Sequence, residues 1–527
     1  MDDGRRIRPW RAGAALVSIL IPFVAVRHVQ EDAYITFRAA ANLAATGVYG
    51  FNPGERASAS SSHLAVFIGA LVRLGAADAF IPILQLLYGA AAVAGIWWLA
   101  CSLVPEPRRA AAVWIAVSLL PVSLMAAYSG METGLVLLAA GLAVHATTRD
   151  RFSPLPAAAF ALFPWVRPDA VAIGLLVLVA MGVTRRPSAR AIAGYAAILT
   201  AGSAAWLLFN RLYFGTLLTQ TMIGKAAVWL PATPGEAVRD GTARLIALVA
   251  GTGGSPGLFQ PLASKYANGF ALPGAIAVFG CAAAVACRPH RFGVHPGAAA
   301  AVALLSVALP VAYAAGNVVY PWYLWPAQIA AYLLAACAVS AWLAGRRRPI
   351  RRAAAAGIAV VIVALAAAQW LLAVTWGTEE RLYRGGIGER IGALAAPGDT
   401  LLLEPAGSIP FYAGVRTWDE IGLATPEVTR YRRAYGRQWW IRFVQDRRPT
   451  FLVEREHMLE DRTLDGYALS PDERRWFHRR YALVQTFEYD PGALRASPVL
   501  ARVARLGSAR RYLLYKTAYD PPATEPR

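Results

Sequence analysis

Eleven apolar runs constrain this chain more than any other feature of its sequence. A helix needs about 20 apolar residues to cross the core of a bilayer, and several of the runs reach that length. Hydrophobic residues make up 57% of the chain and charged residues only 16%, which excludes an ordinary soluble protein. The pattern therefore predicts a polytopic α-helical membrane protein with about 11 transmembrane helices. The runs are residues 12–27, 79–103, 109–127, 131–147, 155–165, 168–184, 190–210, 269–287, 297–315, 322–344 and 353–375.

Three apolar stretches are short enough to leave their course through the membrane open. The runs 155–165 and 168–184 are separated by the sequence VRPDA, which predicts either a broken hairpin or one long tilted helix. Residues 61–75 are apolar but carry Arg73, so we predict a helix that lies at the interface without crossing. If 61–75 crossed the membrane instead, several of the later loops would change sides.

The distribution of arginine sets the orientation of the chain. The formal net charge is +20, and only three of the 52 basic residues are lysines. Arginine-rich loops lie at 108–109, 185–190, 288–291 and 346–352, and such loops are typically cytoplasmic. This predicts a multi-pass protein of the cytoplasmic membrane whose first outer loop, 28–78, is extracytoplasmic. Because arginines in short loops between apolar runs are typical of cytoplasmic loops, they do not indicate a nucleic-acid site, and we expect no nucleic-acid partner.

The composition changes after residue 376. Residues 377–527 are rich in arginine, acids and tyrosine, and they contain no spanning run. Segments such as GDTLLLEP and PTFLVERE predict strands with helical stretches between them. We therefore predict a transmembrane domain, 1–376, that carries the chemistry, and a soluble extracytoplasmic α/β domain, 377–527. The four cysteines form no CxxC pair or Cys/His cluster, so neither a disulfide framework nor a zinc site is predicted.

Two adjacent acids, Glu31 and Asp32, open the first outer loop directly after the first apolar run. Acids in the first turn of a helix interact favourably with its dipole, so capping of the next helix is one explanation. A carboxylate held in a folded loop also serves as a general base toward an attacking hydroxyl. Two acids suit a divalent cation as well, but no third ligand is in view. Glu31 and Asp32 are therefore the candidate catalytic acids; no metal ligands are assigned, and a divalent cation is left as an open alternative.

One reaction that uses such a base is glycosylation, in which the acceptor hydroxyl loses its proton while the sugar–phosphate bond of the donor breaks. Nucleotide sugars are absent outside the membrane, so the donor must be of another kind. A lipid phosphate sugar is the usual donor, and its phosphate leaving group calls for positive charge. The candidates are Lys225, Arg167 and Arg38. Lys225 follows the seventh apolar run, where a snorkelling interfacial lysine is the alternative. Arg167 and Asp169 interrupt apolar sequence, and such costly residues are often functional, although they also pair with each other.

Five further residues complete the predicted substrate site. Glu132 stands at an outer helix start, where an ordinary N-terminal acid is the alternative. Tyr320 and Tyr323 belong to an outer aromatic edge that either forms an interfacial belt or stacks on sugar. Tyr34 shares the helical spacing of the stretch that follows the acid pair, and His63 lies near the loop as a lone histidine.

The segment EDAYITFRAAANLAATGVYGFNPGE resembles the first-loop motif of integral-membrane glycosyltransferases of the GT-C fold, which use polyprenyl-phosphate sugars. SGMETG, VRPDA and YFGTLLTQTMIGKA are similar to later landmarks of one bacterial branch. That branch contains the mycobacterial terminal β-1,2-arabinofuranosyltransferase of arabinogalactan and lipoarabinomannan. In this fold the first outer loop carries the catalytic acid, and the residue that matches it here is Asp32.

The resemblance implies an inverting glycosyltransferase that moves a sugar from a polyprenyl phosphate to a cell-envelope glycan or glycolipid. Decaprenyl-phosphate arabinofuranose is the donor that the branch suggests. The chain departs from the branch at 61–66, 219–220 and 322–323, so its motifs do not identify the sugar. A transporter or flippase for lipid-linked glycans is the alternative, since it also needs an apolar groove and basic residues. A structural envelope-assembly protein would tolerate the loss of both Asp32 and Lys225.

Overall fold

A computed structural model describes most of the 527-residue chain. The described residues are 9–25, 28–184, 187–229, 233–252, 257–262, 265–456, 467, 469–490 and 511–518. The arginines before residue 9 and those at 185–186, which contribute to the predicted orientation, lie outside these ranges.

Helices make up the apolar part of the chain, and each apolar run of the sequence forms a helix or a bent pair of helices. They are α1 (Pro9–Ala25), α2 (Glu31–Thr46), α3 (His63–Gly75), α4 (Phe80–Leu103), α5 (Pro107–Ser118), α6 (Pro121–Tyr128), α7 (Thr133–Ala146), α8 (Pro154–Val166), α9 (Val171–Thr184), α10 (Ala189–Phe214), α11 (Gln220–Trp229), α12 (Pro234–Ala250), α13 (Ala271–Cys287), α14 (Pro296–Ala315), α15 (Pro321–Ala344) and α16 (Arg348–Gly377).

Several of these helices are long and apolar enough to cross a membrane, so the chain is a membrane protein. Within the described residues there are six such helices, or seven if α5 and α6, which meet at a 73° bend, form one span. The predicted number of about 11 also includes α1, α7, α8 and α9, which are only 13 to 17 residues long. That number stays a prediction.

The three short apolar stretches of the sequence form separate helices, α3, α8 and α9. α3 has 13 residues, so it is about 20 Å long, shorter than the hydrocarbon core of a bilayer. Between α8 and α9, the backbone of Arg167 is extended, with φ −163° and ψ 134°. Pro168 follows and begins a short 3-10 turn. The break predicted at VRPDA is therefore confirmed.

The C-terminal part is built on a five-stranded mixed sheet with the order β2-β1-β3-β5-β4. β2, β1 and β3 are parallel, and β5 is antiparallel to both β3 and β4. The α/β class is confirmed, although the sequence pattern missed β2, a four-residue strand in which only Trp418 is apolar. The strands are β1 (Thr400–Leu403), β2 (Arg416–Asp419), β3 (Phe451–Arg455), β4 (Tyr481–Glu488) and β5 (Arg511–Thr517). The helices are α17 (Gly385–Leu394), α18 (Ser408–Ala413), α19 (Pro426–Tyr435), α20 (Trp439–Arg447) and α21 (Pro471–Arg480).

The helical backbone continues through the predicted domain boundary at residue 376. α16 runs into a π-helical turn, Thr378–Arg384, and then directly into α17. π-helical turns are rare and are often found at functional sites. The turn belongs to the connection between the apolar helices and the sheet, so side chains on it reach both parts of the molecule.

Arg38 joins the first outer loop to the C-terminal part. Its Nε donates to the carbonyl of Phe51 at 2.7 Å and its Nη2 to the carbonyl of Val415 at 2.6 Å. Nη1 donates to the carbonyl of Pro410. The side chain is buried, and each of its three nitrogens donates to one of these carbonyls. These contacts explain Arg38 within the fold, and its role as a phosphate ligand stays a prediction.

Candidate functional site

The acid pair lies in the first turn of α2, where this helix meets the loop after β1. Glu31 Oε1 accepts a hydrogen bond of 2.6 Å from the backbone N–H of Gly407. The two backbones are so close that a Cβ on Gly407 would lie 2.1 Å from the backbone oxygen of Glu31, so only glycine fits there. The half-buried carboxylate of Asp32 has no hydrogen-bond partner in the described part of the chain. Asp32 is therefore the acid that is available to a substrate.

The surroundings of the two acids favour their protonated forms. Burial raises the pKa of Glu31 to about 8; the nearby Arg384 opposes this rise, and Asp32 adds to it. Burial also raises the pKa of Asp32, and the ammonium group of Lys225 is the main opposing charge. A carboxylate with a raised pKa is a stronger base than an ordinary one, which suits proton abstraction near neutral pH.

Lys225 projects from α11 toward the start of α15. Its Nζ donates a hydrogen bond to the hydroxyl of Tyr323 and lies 5.6 Å from the ring centre of Tyr320. Burial lowers the pKa of Lys225, but the net shift is upward because Tyr323 and Asp32 stabilise its charge. The ammonium group of Lys225 is thus fixed by Tyr323 near the acid pair and does not extend freely into solvent.

Arg167 lies in a buried ionic network over the ring of Tyr323. Its Nε and Nη2 bond to the two carboxylate oxygens of Asp169 at 3.0 and 2.5 Å. A carboxylate oxygen of Glu132 lies 3.6 Å from the same Nε. The guanidinium carbon of Arg167 lies 4.3 Å from the centre of the Tyr323 ring. The pairing of Arg167 with Asp169, expected as an alternative, is confirmed, and this pair also supports Tyr323.

Tyr34 and His63 take part in packing. The Tyr34 hydroxyl lies 3.4 Å from that of Tyr412, which joins α2 to α18. The ring nitrogens of His63 lie 3.0 Å from the hydroxyl of Tyr49 and 3.2 Å from Oδ1 of Asn210. The two contacts of His63 connect the first outer loop to α10. These contacts explain both residues without a substrate.

Three charged residues that the sequence analysis missed lie around the acid pair. On the π-helical turn, Arg384 Nη1 donates to Glu380 Oε1 at 2.8 Å. Glu404 follows β1 directly. All three act electrostatically on Glu31 or Asp32. Only Glu404 had a sequence signal, as the acid at the end of the predicted strand GDTLLLEP. Arg384 and Glu380 reach the site because the π-helical turn and the packing of the sheet bring them there.

A cavity of about 1070 Å³ opens beside this cluster. Two of its wall residues connect it to the charged site: Gln30 directly precedes the acid pair, and Tyr320 contacts Lys225. Most of the wall is apolar, as in sites that bind hydrophobic ligands. Apolar residues of the wall include Leu120, Pro121, Val122, Met125, Leu248, Phe259, Trp325 and Leu365. Within the described ranges, no group of three or more His, Cys, Asp or Glu residues is placed to hold a metal ion.

Comparisons with known proteins match the two parts of the chain differently. Residues 369–515 match the family model of a domain of unknown function, DUF8728. No curated protein matches the chain. The crystal structure of ArnT from Cupriavidus metallidurans bound to undecaprenyl phosphate is similar, with a TM-score of 0.54, 13% identity, and coverage of 96% of this chain and 97% of that chain. Arabinofuranosyltransferase AftD from Mycobacteria has a TM-score of 0.45 and 18% identity over 99% of this chain and 40% of that chain.

Proposed function

We propose, on the premise that this chain has the GT-C fold, that it is an inverting glycosyltransferase which uses a polyprenyl-phosphate sugar. ArnT, which has the same fold at low identity, was crystallised with undecaprenyl phosphate. The apolar cavity that ends at Gln30 and Tyr320 offers this chain a place for a prenyl tail. The reaction would take place at the outer face of the cytoplasmic membrane, on a glycan or glycolipid of the cell envelope.

The observation that carries this proposal is the environment of Asp32. Its carboxylate lacks a hydrogen-bond partner among the described residues, while its neighbour Glu31 is held by Gly407. Lys225 lies within electrostatic range and opposes the rise in the pKa of Asp32. A free carboxylate of raised basicity beside a fixed cation supports a general base next to a leaving group that gains negative charge.

The proposed reaction is a single displacement. Asp32 takes the proton of an acceptor hydroxyl while the hydroxyl oxygen forms a bond to the anomeric carbon of the donor sugar. The bond between that carbon and the phosphate oxygen breaks, and its electron pair leaves with the polyprenyl phosphate. Attack from the face opposite to the leaving group inverts the anomeric configuration. Lys225 stabilises the charge that develops on the phosphate.

Arg167 supports this step in the proposal through Tyr323. The ring of Tyr323 stacks on the guanidinium of Arg167, and its hydroxyl accepts the hydrogen bond of the Lys225 ammonium. Asp169 and Glu132 hold Arg167 in turn, so these four residues fix where Lys225 can bind the phosphate. Charges that are already in place stabilise the transition state without first having to move, and this lowers the barrier of the reaction.

Decaprenyl-phosphate arabinofuranose is the first donor to test, because the first-loop and later motifs resemble an arabinofuranosyltransferase branch. The experiment uses protein purified in detergent, a set of polyprenyl-phosphate sugars that includes arabinofuranose and mannose, and a mixed envelope glycan as acceptor. The readout is the release of free polyprenyl phosphate. Asp32→Asn should abolish release, whereas Asp78→Asn, which changes an exposed acid of the same loop, should leave it unchanged.

The outcome also separates the enzyme from a transporter. If well-folded wild-type protein binds the lipid donors but releases no polyprenyl phosphate from any of them, a transporter or flippase becomes the better explanation. If Asp32→Asn releases as much as the wild type, the base assignment is wrong even though the protein is an enzyme.

A further inference from the structure

The carboxyl ends of the three parallel strands face the candidate site. The loop after β1 bonds to α2 through Gly407 and Glu31. The loop after β2 reaches α11, because the carbonyl of Gly422 accepts a hydrogen bond of 2.7 Å from Gln220 Nε2. These two helices carry the proposed base and the proposed phosphate ligand. In open α/β sheets, ligands bind beyond the carboxyl ends of the strands, so this edge of the sheet is placed to hold a substrate.

The topology of the sheet selects one position along that edge. β1 continues to β2 on one side, while β3 continues to β4 and β5 on the other. Neighbouring parallel strands whose connections leave in opposite directions open a crevice between them. Glu404, directly after β1, and Arg455, the last residue of β3, face each other here at 2.6 Å. Their side chains are 31% and 29% exposed, so a ligand can reach both.

Buried polar atoms without hydrogen-bond partners surround this ion pair. Arg455 Nε, Arg384 Nε and the hydroxyl of Tyr512 have none among the described residues. Tyr512 pairs with Arg455 between β5 and β3 and interacts electrostatically with Arg384. Native proteins leave few buried polar groups unsatisfied. Three of them around one crevice indicate that a ligand completes their hydrogen bonds.

The kinds of free atoms indicate the chemistry of this ligand. The guanidinium nitrogens only donate hydrogen bonds, whereas the hydroxyl of Tyr512 both donates and accepts them. Each guanidinium already has a carboxylate partner, Glu380 for Arg384 and Glu404 for Arg455, so the crevice has no net charge to attract an ionic ligand. A hydroxyl group both donates and accepts, so a neutral ligand with several hydroxyl groups satisfies both sets. A sugar unit has this character.

We propose that the β1–β3 crevice, formed by Arg384, Glu404, Arg455 and Tyr512, binds a neutral sugar unit of the acceptor glycan. This inference rests on the proposed function. The loop after β1 leads from the crevice directly to Gly407 and the acid pair. A sugar held there would place the next unit of the same glycan, which bears the reacting hydroxyl, at Asp32. The C-terminal part would thereby select the acceptor, while the apolar cavity takes the donor.

The test uses full-length protein in detergent and a synthetic octyl arabinofuranosyl trisaccharide as the probe, with the corresponding mannosyl trisaccharide in parallel. Binding is measured by saturation-transfer NMR, and acceptor KM and kcat in the transfer assay. Glu404→Gln and Arg455→Gln should each weaken binding of the probe about tenfold or more, since each removes a hydrogen bond from a charged group. Acceptor KM should rise by a similar factor, with a smaller change in kcat.

Arg416→Gln is the matched control, because Arg416 at the amino end of β2 also forms a 2.6 Å pair, with Glu55. It should bind the probes as the wild type does. If Glu404→Gln and Arg455→Gln do so too, or if the wild type binds neither probe, the inference is overturned. If the wild type binds a probe but transfers no sugar, the proposed function fails while the crevice stands.

Discussion

Arg167 stacks on the ring of Tyr323, with its guanidinium carbon 4.3 Å from the ring centre. On the same tyrosine, the hydroxyl receives the hydrogen bond of Lys225. Tyr323 thus connects a buried ion network to the cation that most strongly favours the ionised form of Asp32. The sequence offered Tyr323 as part of an interfacial belt or as a surface for sugar, and its geometry adds the role of positioning Lys225.

The first prediction concerns this hydroxyl. Tyr323→Phe keeps the ring under Arg167 but removes the partner of Lys225, so the ammonium loses its fixed position. Transfer should fall about tenfold, the usual scale for a hydrogen bond to a charged group. The assay is release of polyprenyl phosphate under saturating acceptor. Tyr435→Phe, at an exposed position of α19, is the control and should retain wild-type rates.

The second prediction is the pH dependence of the rate. A general base must be ionised, so transfer should be lost as the pH falls through the raised pKa of Asp32. Glu31 retains its own proton up to about pH 8, so it is uncharged while Asp32 ionises, and Glu31→Gln should leave the acidic limb in place. The measurement is kcat/KM across the pH range for both proteins. An acidic limb that moves to lower pH in Glu31→Gln would contradict this order, because it would mean that Glu31 ionises before Asp32.

The third prediction is the pH dependence of stability. The pKa of Glu31 is about 8 in the fold and 4.5 without the fold's influence, so the folded state retains a proton that the unfolded chain releases. The contribution of Glu31 to stability is therefore complete below about pH 4.5 and is lost as the pH rises through about 8. Thermal unfolding in detergent should show wild type losing stability over this window more than Glu31→Gln. Equal losses in both proteins would exclude Glu31 as the source.

The fourth prediction concerns the contact between α2 and the loop after β1. Gly407→Ala would place a methyl group 2.1 Å from the backbone oxygen of Glu31, so the loop must move away from the acid pair. We expect a loss of transfer of at least about a hundredfold, since shifts of about 1 Å at a reacting site have effects of that size. Gly386→Ala, where an added methyl group meets nothing within 4 Å, is the control for a glycine substitution.

The fifth prediction tests the structural role of Arg38. Arg38→Met removes the hydrogen bonds that the guanidinium donates to the carbonyls of Phe51, Pro410 and Val415, each of which keeps a second donor. A hydrogen bond from a charged group contributes about 1.5–3 kcal/mol, so the variant should unfold at a clearly lower temperature than the wild type. Arg73→Met, at an exposed site on α3, should have little effect. If Arg38→Met loses donor binding with its stability intact, the assignment of Arg38 to the fold is wrong.

The local sequence was sufficient for features that depend on neighbouring residues. The apolar runs determined where helices form, because the length and hydrophobicity of a segment decide whether it suits a bilayer. Strands β1 and β3 followed from short apolar segments, and the break at Arg167 followed from the proline after it. The acid pair also stood out, since two acids directly after an apolar run need a reason to be there.

Only the tertiary structure decided which residues meet that pair. Glu31 and Gly407 are 376 positions apart, and Lys225 and Tyr323 are 98 apart. Arg384 reaches the site because it lies on a π-helical turn. Arg38, a plausible phosphate ligand by sequence, donates its hydrogen bonds to carbonyls 372 and 377 residues away. Local sequence patterns indicate which segments can form a helix or a strand and which of their faces is apolar enough to be buried. Which side chains share a site depends on how distant segments pack, and that information is spread over the whole chain.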